Sequence, residues 1–138
     1  MKEYFEALKG LSAEGDFDSL AHLTYPMRYI RQRCDKFPDM ADFKDDIRDI
    51  YKNLIARGKA LEINTSDLHR NFFETVPSKE LIAFYKECGG KLITIGSDAH
   101  DFKNIGKGIA EAMDIAKECG FENVYLYQNR SPMEIPII

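Results

Sequence analysis

The chain has 138 residues, 44% of them apolar and 30% charged, with a formal net charge of −4. That length and composition suit one globular domain and exclude wholesale disorder, and mixed-sign charge without a basic block argues against a nucleic-acid surface. No apolar run reaches the roughly 18 residues of a membrane span, Met1-Lys2-Glu3-Tyr4 lacks a signal-like stretch, and Cys34, Cys88 and Cys119 form no C-x-x-C pair, so a cytoplasmic chain without disulfides is expected.

In chain order, residues 1–13 read as a helix with Tyr4, Phe5, Leu8 and Leu11 on one side. It starts without a cap, as though the chain began inside an element. Residues 16–23 read as a strand. The spacing of Met40, Phe43, Ile47, Ile50, Leu54 and Ile55 predicts a helix over 39–57, with Pro38 and Gly58 as start and stop residues. Residues 60–64 read as a strand. Ser78 is placed to cap a helix reaching Cys88, and Gly89-Gly90 ends it. Residues 92–97 form a strand, and 104–118 a helix with Ile105, Ile109, Ala112, Met113 and Ala116 on one face. A strand over 123–127 follows, then a short one over 134–138 whose pairing is limited by Pro132 and Pro136.

Strands joined through helices imply parallel pairing with right-handed crossovers. An open doubly wound sheet and a (β/α) barrel both satisfy this α/β pattern. About four strand–helix units are present, whereas a closed barrel needs roughly eight strands and about 250 residues. As a barrel, the chain would hold about half.

In parallel α/β proteins the chemistry sits at the C-terminal ends of the strands. Here those ends read Ala21-His22-Leu23, Glu62-Ile63-Asn64 and Gly96-Ser97-Asp98-Ala99-His100. Alternation puts Leu61 and Ile63 on one face and Glu62 and Asn64 on the other, while Ile93 and Ile95 oppose Thr94 and Asp98. One face is aliphatic and the other polar, as for a lined cavity. Buried carboxylates are costly unless paired, hydrogen-bonded or bound to a cation, so convergent carboxylates and imidazoles point to a metal site.

Each residue also has a plainer role. His22 suits a satisfied core histidine, and Glu62 suits a pair with a nearby Lys or Arg. Asp98-x-His100 carries the most weight, because two ligand types share one strand end. Ser97 lacks a G-x-S-x-G elbow and reads as a turn residue. Gly106-x-Gly108 falls inside the 104–118 helix and reads as helix packing, which sets aside a dinucleotide loop. Residues 42–49 read as a solvated helix face, Tyr125 and Tyr127 as strand packing, and Cys88 and Cys119 as packing residues.

Three segments in order carry a resemblance: Ala21-His22-Leu23-Thr24-Tyr25-Pro26-Met27-Arg28-Tyr29, Leu61-Glu62-Ile63-Asn64-Thr65-Ser66, and Gly96-Ser97-Asp98-Ala99-His100. Together they resemble the polymerase-and-histidinol-phosphatase (PHP) family, most closely its histidinol-phosphatase branch. The resemblance implies the C-terminal half of a distorted (β/α)7 TIM-like barrel, with parallel strands and flanking helices, over residues 1–138. It implies His22, Asp98 and His100 as metal ligands and Arg28 as a residue for the substrate phosphate. Where the pattern continues Gly-Leu-Arg, this chain has Asp67-Leu68-His69-Arg70, so His69 stands at the arginine position and Arg70 is a substitute for it. The family's early His-x-His motif is absent, and the chain therefore reads as a C-terminal fragment.

The implied reaction is metal-dependent hydrolysis of L-histidinol phosphate to L-histidinol and phosphate, a step of histidine biosynthesis. Clustered divalent ions (Mn, Zn or Fe) would activate water and hold the phosphoryl oxygens, and arginine would offset charge developing in transfer. Three good ligands are too few for a full cluster, so little or no activity is expected of the chain alone. The alternatives are a phosphoesterase of another substrate and a non-catalytic α/β module. An exposed half barrel would favour self-association or association with the missing half. No nucleic-acid or membrane partner is expected.

Overall fold

The structure is a computed structural model that describes residues 1–34, 38–69 and 73–138. Helix α1 (Lys2–Glu14) leads into a two-residue strand, β1 (Ser19–Leu20), and then α2 (Pro26–Arg33), a helix that the sequence reading leaves unassigned. Pro26 occupies its first turn, where a missing N–H costs nothing. A single 3-10 turn (Met40–Phe43), capped by the Asp39 side chain on the Ala41 N–H, precedes α3 (Lys44–Ala56). Strand β2 (Ala60–Asn64), α4 (Lys79–Glu87), β3 (Ile93–Gly96) and α5 (Ile109–Glu118) follow. The chain closes with β4 (Asn123–Gln128) and β5 (Ser131–Pro136).

Strands β1, β2 and β3 form a parallel sheet in that order. Its register aligns Leu20 with Leu61 and Asn64 with Gly96, so the three C-terminal ends lie along one edge. The core is built as the apolar periodicities require. Phe5 of α1, Ile47, Ile50, Tyr51 and Leu54 of α3, Leu61 and Ile63 of β2, Ile82 of α4 and Ile93 of β3 are each fully buried. Helix α1 packs along α3. Polar groups at that seam are satisfied: Asn53 donates to the Ser12 hydroxyl at 3.0 Å, and Arg57 donates to the Ser12 and Gly15 carbonyls, each at 2.7 Å. No helix among the described residues is long and apolar enough to cross a membrane.

Four expectations change. The 16–23 strand shrinks to Ser19–Leu20, because His22 takes a left-handed φ of 63° and its carbonyl turns to accept the Tyr25 N–H at 3.0 Å. The 104–118 helix begins only at Ile109. Gly106 and Gly108, with φ of 74° and 80°, lie in the β3–α5 connection and not in helix packing. Ser78 sits at the cap of α4, but its side chain makes no capping hydrogen bond. Finally, the fourth unit is not parallel: β4 and β5 form an antiparallel hairpin whose turn residues Asn129 and Arg130 both have positive φ. Two residues can close a hairpin but cannot carry a crossover. Strand β4 contacts β3 without joining its ladder. The hairpin is tied to the start of β1 by Arg130, which donates to Asp16 and Asp18.

Candidate active site

Two of the strand ends leave the sheet through strained backbone. His22 has φ of 63° and Asp98 φ of 50°. Left-handed backbone costs a non-glycine residue about 1–2 kcal/mol, and it persists only where the surroundings enforce it. At His22 the Tyr4 hydroxyl helps enforce it by donating to the His22 carbonyl. Burial, and then the neighbouring Tyr25, push the Tyr4 phenol up to about 12, so it remains a donor.

The strain turns the imidazole between two carboxylates. His22 Nδ1 lies 3.6 Å from Glu62 Oε2, and His22 Nε2 lies 3.8 Å from Asp98 Oδ2. Burial raises the pKa of the Glu62 carboxyl, and the adjacent His22 partly offsets this. Among the described residues no Lys or Arg pairs with Glu62; its neighbours are His22 and, at 3.5 Å, the Asn64 amide. Gly96 leaves room for this carboxylate, since a Cβ there would stand 2.8 Å from Glu62 Oε1. His100 touches the group through Asp98 alone: its Nδ1 is 2.9 Å from the Asp98 carbonyl and 3.9 Å from Asp98 Oδ1. A carbonyl can only accept, so Nδ1 is the donor here, and in the neutral ring this leaves the Nε2 lone pair as the ligating position.

The donor chemistry suits a divalent cation, because a half-buried carboxylate beside an imidazole and a second carboxylate is stabilised by positive charge. The spacing does not complete a shell. Among the described residues no group of three or more His, Cys, Asp and Glu side chains is gathered tightly enough to hold an ion.

On the far side of Asp98 lies a cavity of about 160 Å³, lined among others by His69, Ser97, Asp98, His100, Asn104 and Lys107. His69 stands at its rim, with Nε2 3.5 Å from Glu111 of α5. Arg28 is placed differently. It is 8% exposed, its Nε lies 2.9 and 3.1 Å from the two Asp67 carboxylate oxygens, and its Nη2 donates to Ser66 Oγ at 2.6 Å. The guanidinium also sits over the Tyr25 ring at 4.9 Å. Burial disfavours its charge, but the hydrogen bond and charge of Asp67 more than offset this and raise its pKa. Arg70 lies outside the described residues.

Sequence reasoning leaves Glu62 open and misses Tyr4, Asp67 and Lys107. Tyr4 is far from His22 in sequence, and nothing local marks it. Asp67 and Lys107 do have signals: a carboxylate directly after Thr65-Ser66, and two glycines flanking a lysine after Asn104.

No protein-family model matches the chain. It is 38% identical over 124 residues to a probable histidinol-phosphatase of Thermotoga maritima, covering 88% of this chain and 49% of that protein. It is 32% identical to a probable histidinol-phosphatase of Clostridium acetobutylicum, covering 90% of this chain and 50% of that protein. The chain thus spans about half the length of the curated relatives it matches. Its fold is similar to the crystal structure of histidinol phosphate phosphatase from Lactococcus lactis, complexed with zinc, L-histidinol and phosphate. The TM-score is 0.76 at 26% identity, over 96% of this chain and 50% of that one. A putative histidinol phosphatase from Listeria monocytogenes gives a TM-score of 0.64 at 25% identity, over 78% of this chain and 42% of that one. In ordered motifs, in sequence and in fold alike, the chain is similar to histidinol-phosphatases over about half of their length.

Proposed function

We propose that this chain is the C-terminal part of a metal-dependent phosphatase that hydrolyses L-histidinol phosphate to L-histidinol and phosphate in cytoplasmic histidine biosynthesis. The observation that carries this reading is the convergence of His22, Glu62 and Asp98 from three parallel strand ends onto one edge. His22, Asp98 and His100 would hold divalent ions, zinc foremost and manganese or iron as alternatives, jointly with donors beyond this chain. Such ions, when bound, supply an activated water and neutralise phosphoryl charge. Asp98 would keep His22 and His100 oriented, and Glu62 would buttress the imidazole from the other side. His69 borders the cavity where the phosphate would lie. Arg28 contributes by fixing Ser66 and Asp67 beside that cavity, with Arg70 as a further candidate for the phosphate.

The sheet is read as an arc of a distorted (β/α)7 barrel. Ser19 Oγ of β1 and Thr94 Oγ1 of β3 lie 2.7 Å apart, across the intervening β2. Neighbouring strands are about 4.8 Å apart in a flat sheet, so this contact supports strong curvature. Self-association is the second reading for the chain by itself. It rests on the cross-strand pair Leu126 and Met133, which are 53% and 43% exposed on the hairpin.

The test is phosphate release from L-histidinol phosphate with zinc, by the chain alone and by the chain joined to the sequence that precedes it in its relatives. Release by the joined protein, lost on His22→Ala or Asp98→Ala, with little by the chain alone, supports the reading. A folded, zinc-loaded joined protein that leaves this ester intact, or that works unchanged without His22 and Asp98, overturns it.

A further inference from the structure

The β3–α5 connection is pinned at several points, yet Lys107 on it pairs with no carboxylate among the described residues. Lys107 sits between Gly106 and Gly108, both with positive φ. Its carbonyl accepts the Thr65 hydroxyl at 2.6 Å, and its N–H donates to the Asn104 carbonyl at 3.1 Å. The Gly106 N–H donates to Ser97 Oγ at 3.3 Å. Gly108 packs so closely that a Cβ there would stand 2.9 Å from Thr65 Cβ. Lys107 is among the residues lining the same cavity as Asp98 and His100. No carboxylate of the described residues pairs with its ammonium, although Asp98 and Asp101 line the same space. Asp101 is engaged instead with the Lys103 N–H and the Asn104 amide, each within 2.9 Å. His69, which also lines the cavity, faces Glu111.

We propose that this cavity is the seat of the substrate's phosphoryl group and that Lys107 is the residue that grips it. The proposal rests on the phosphatase reading above and adds a residue to it. An anion entering beside Asp98 needs positive charge within reach, and Lys107 carries a point charge on a flexible stem rooted in the cavity lining. Ser97 assists: its oxygen accepts from Gly106, which leaves its O–H free to donate to a phosphoryl oxygen.

The probe is inorganic phosphate, titrated with zinc present into the chain joined to the sequence that precedes it in its relatives and into its Lys107→Met, Lys107→Arg and Lys103→Met variants, with amide shifts around Ser97 and Gly106 as the readout. Lys103 lies against the Phe102 ring, outside the cavity lining, and is the charge-matched control. Lys107→Met is expected to weaken phosphate binding roughly tenfold. Lys107→Arg retains it, and Lys103→Met leaves it unchanged. Binding of L-histidinol, which carries no phosphate, is expected to be indifferent to Lys107→Met. Equal phosphate affinity in Lys107→Met and the unaltered joined protein overturns the role of Lys107 and leaves the phosphatase reading standing. A zinc-loaded, unaltered joined protein that shows no phosphate-dependent shift around this cavity overturns the seat proposed here, while the release assay above decides the phosphatase reading separately.

Discussion

Removing the Arg28 charge is expected to damage the fold before it damages any chemistry. Arg28 and Asp67 are 8% and 3% exposed, and Nε lies 2.9 Å from the nearer carboxylate oxygen. Breaking a buried ion pair from one side costs roughly 3–5 kcal/mol, because the remaining charge keeps its desolvation penalty. Asp67 keeps further contacts, and Ser66 Oγ still donates to Asn64 at 2.6 Å, which places Arg28→Met near the lower bound, about 3 kcal/mol. That is a large part of the 5–15 kcal/mol typical of a whole domain. The double variant Arg28→Met with Asp67→Leu removes both charges and should lose less than Arg28→Met alone, since apolar replacement of a buried pair is often neutral. Urea unfolding of the unaltered chain and of both variants, followed by circular dichroism with equal m-values, measures these losses. A loss below about 1 kcal/mol for Arg28→Met, the range of solvent-exposed pairs, would refute the buried-pair reasoning. A drop in phosphate binding without a stability loss would return Arg28 to the direct phosphate role that the sequence pattern implies.

Tyr4→Phe should cost about 1 kcal/mol for the lost hydrogen bond to the His22 carbonyl, and it should shift the His22 imidazole resonances while leaving those of His69 in place; unchanged His22 resonances would show that the strained turn stands without Tyr4. Gly108→Ala combines a left-handed φ of 80° with a Cβ 2.9 Å from Thr65 Cβ and should cost about 2–3 kcal/mol, whereas Gly106→Ala, at φ of 74° with nothing within 4 Å, should cost about 1 kcal/mol. Equal thermal midpoints for the two variants would show that close packing on Thr65 contributes nothing.

Much of the architecture is local and therefore readable. The three- and four-residue recurrence of Ile47, Ile50 and Leu54 specifies α3, because a helix buries one stripe whatever its neighbours are. The run Ala60–Asn64 specifies β2 to the residue. The order of the three polar strand ends is legible too, since parallel strands set their C-terminal ends along one edge. What periodicity does not carry is backbone that leaves the regular regions. The left-handed turn at His22 cut β1 short, the two glycines moved the start of α5 to Ile109, and a two-residue turn made β4 and β5 a hairpin.

The side chains divide in the same way. Which residues can ligate or hold charge is a property of residue type, so His22, Asp98 and His100 stand out before any fold is known. Whether they meet depends on groups distant in sequence: Tyr4 on the His22 carbonyl, Glu62 across the sheet, and Asp67 drawing Arg28 inward. Short-range preferences repeat along the chain and can be read from it. The partner of a buried charge and the angle of a strained turn are set by packing among remote segments, and only the folded chain brings those together.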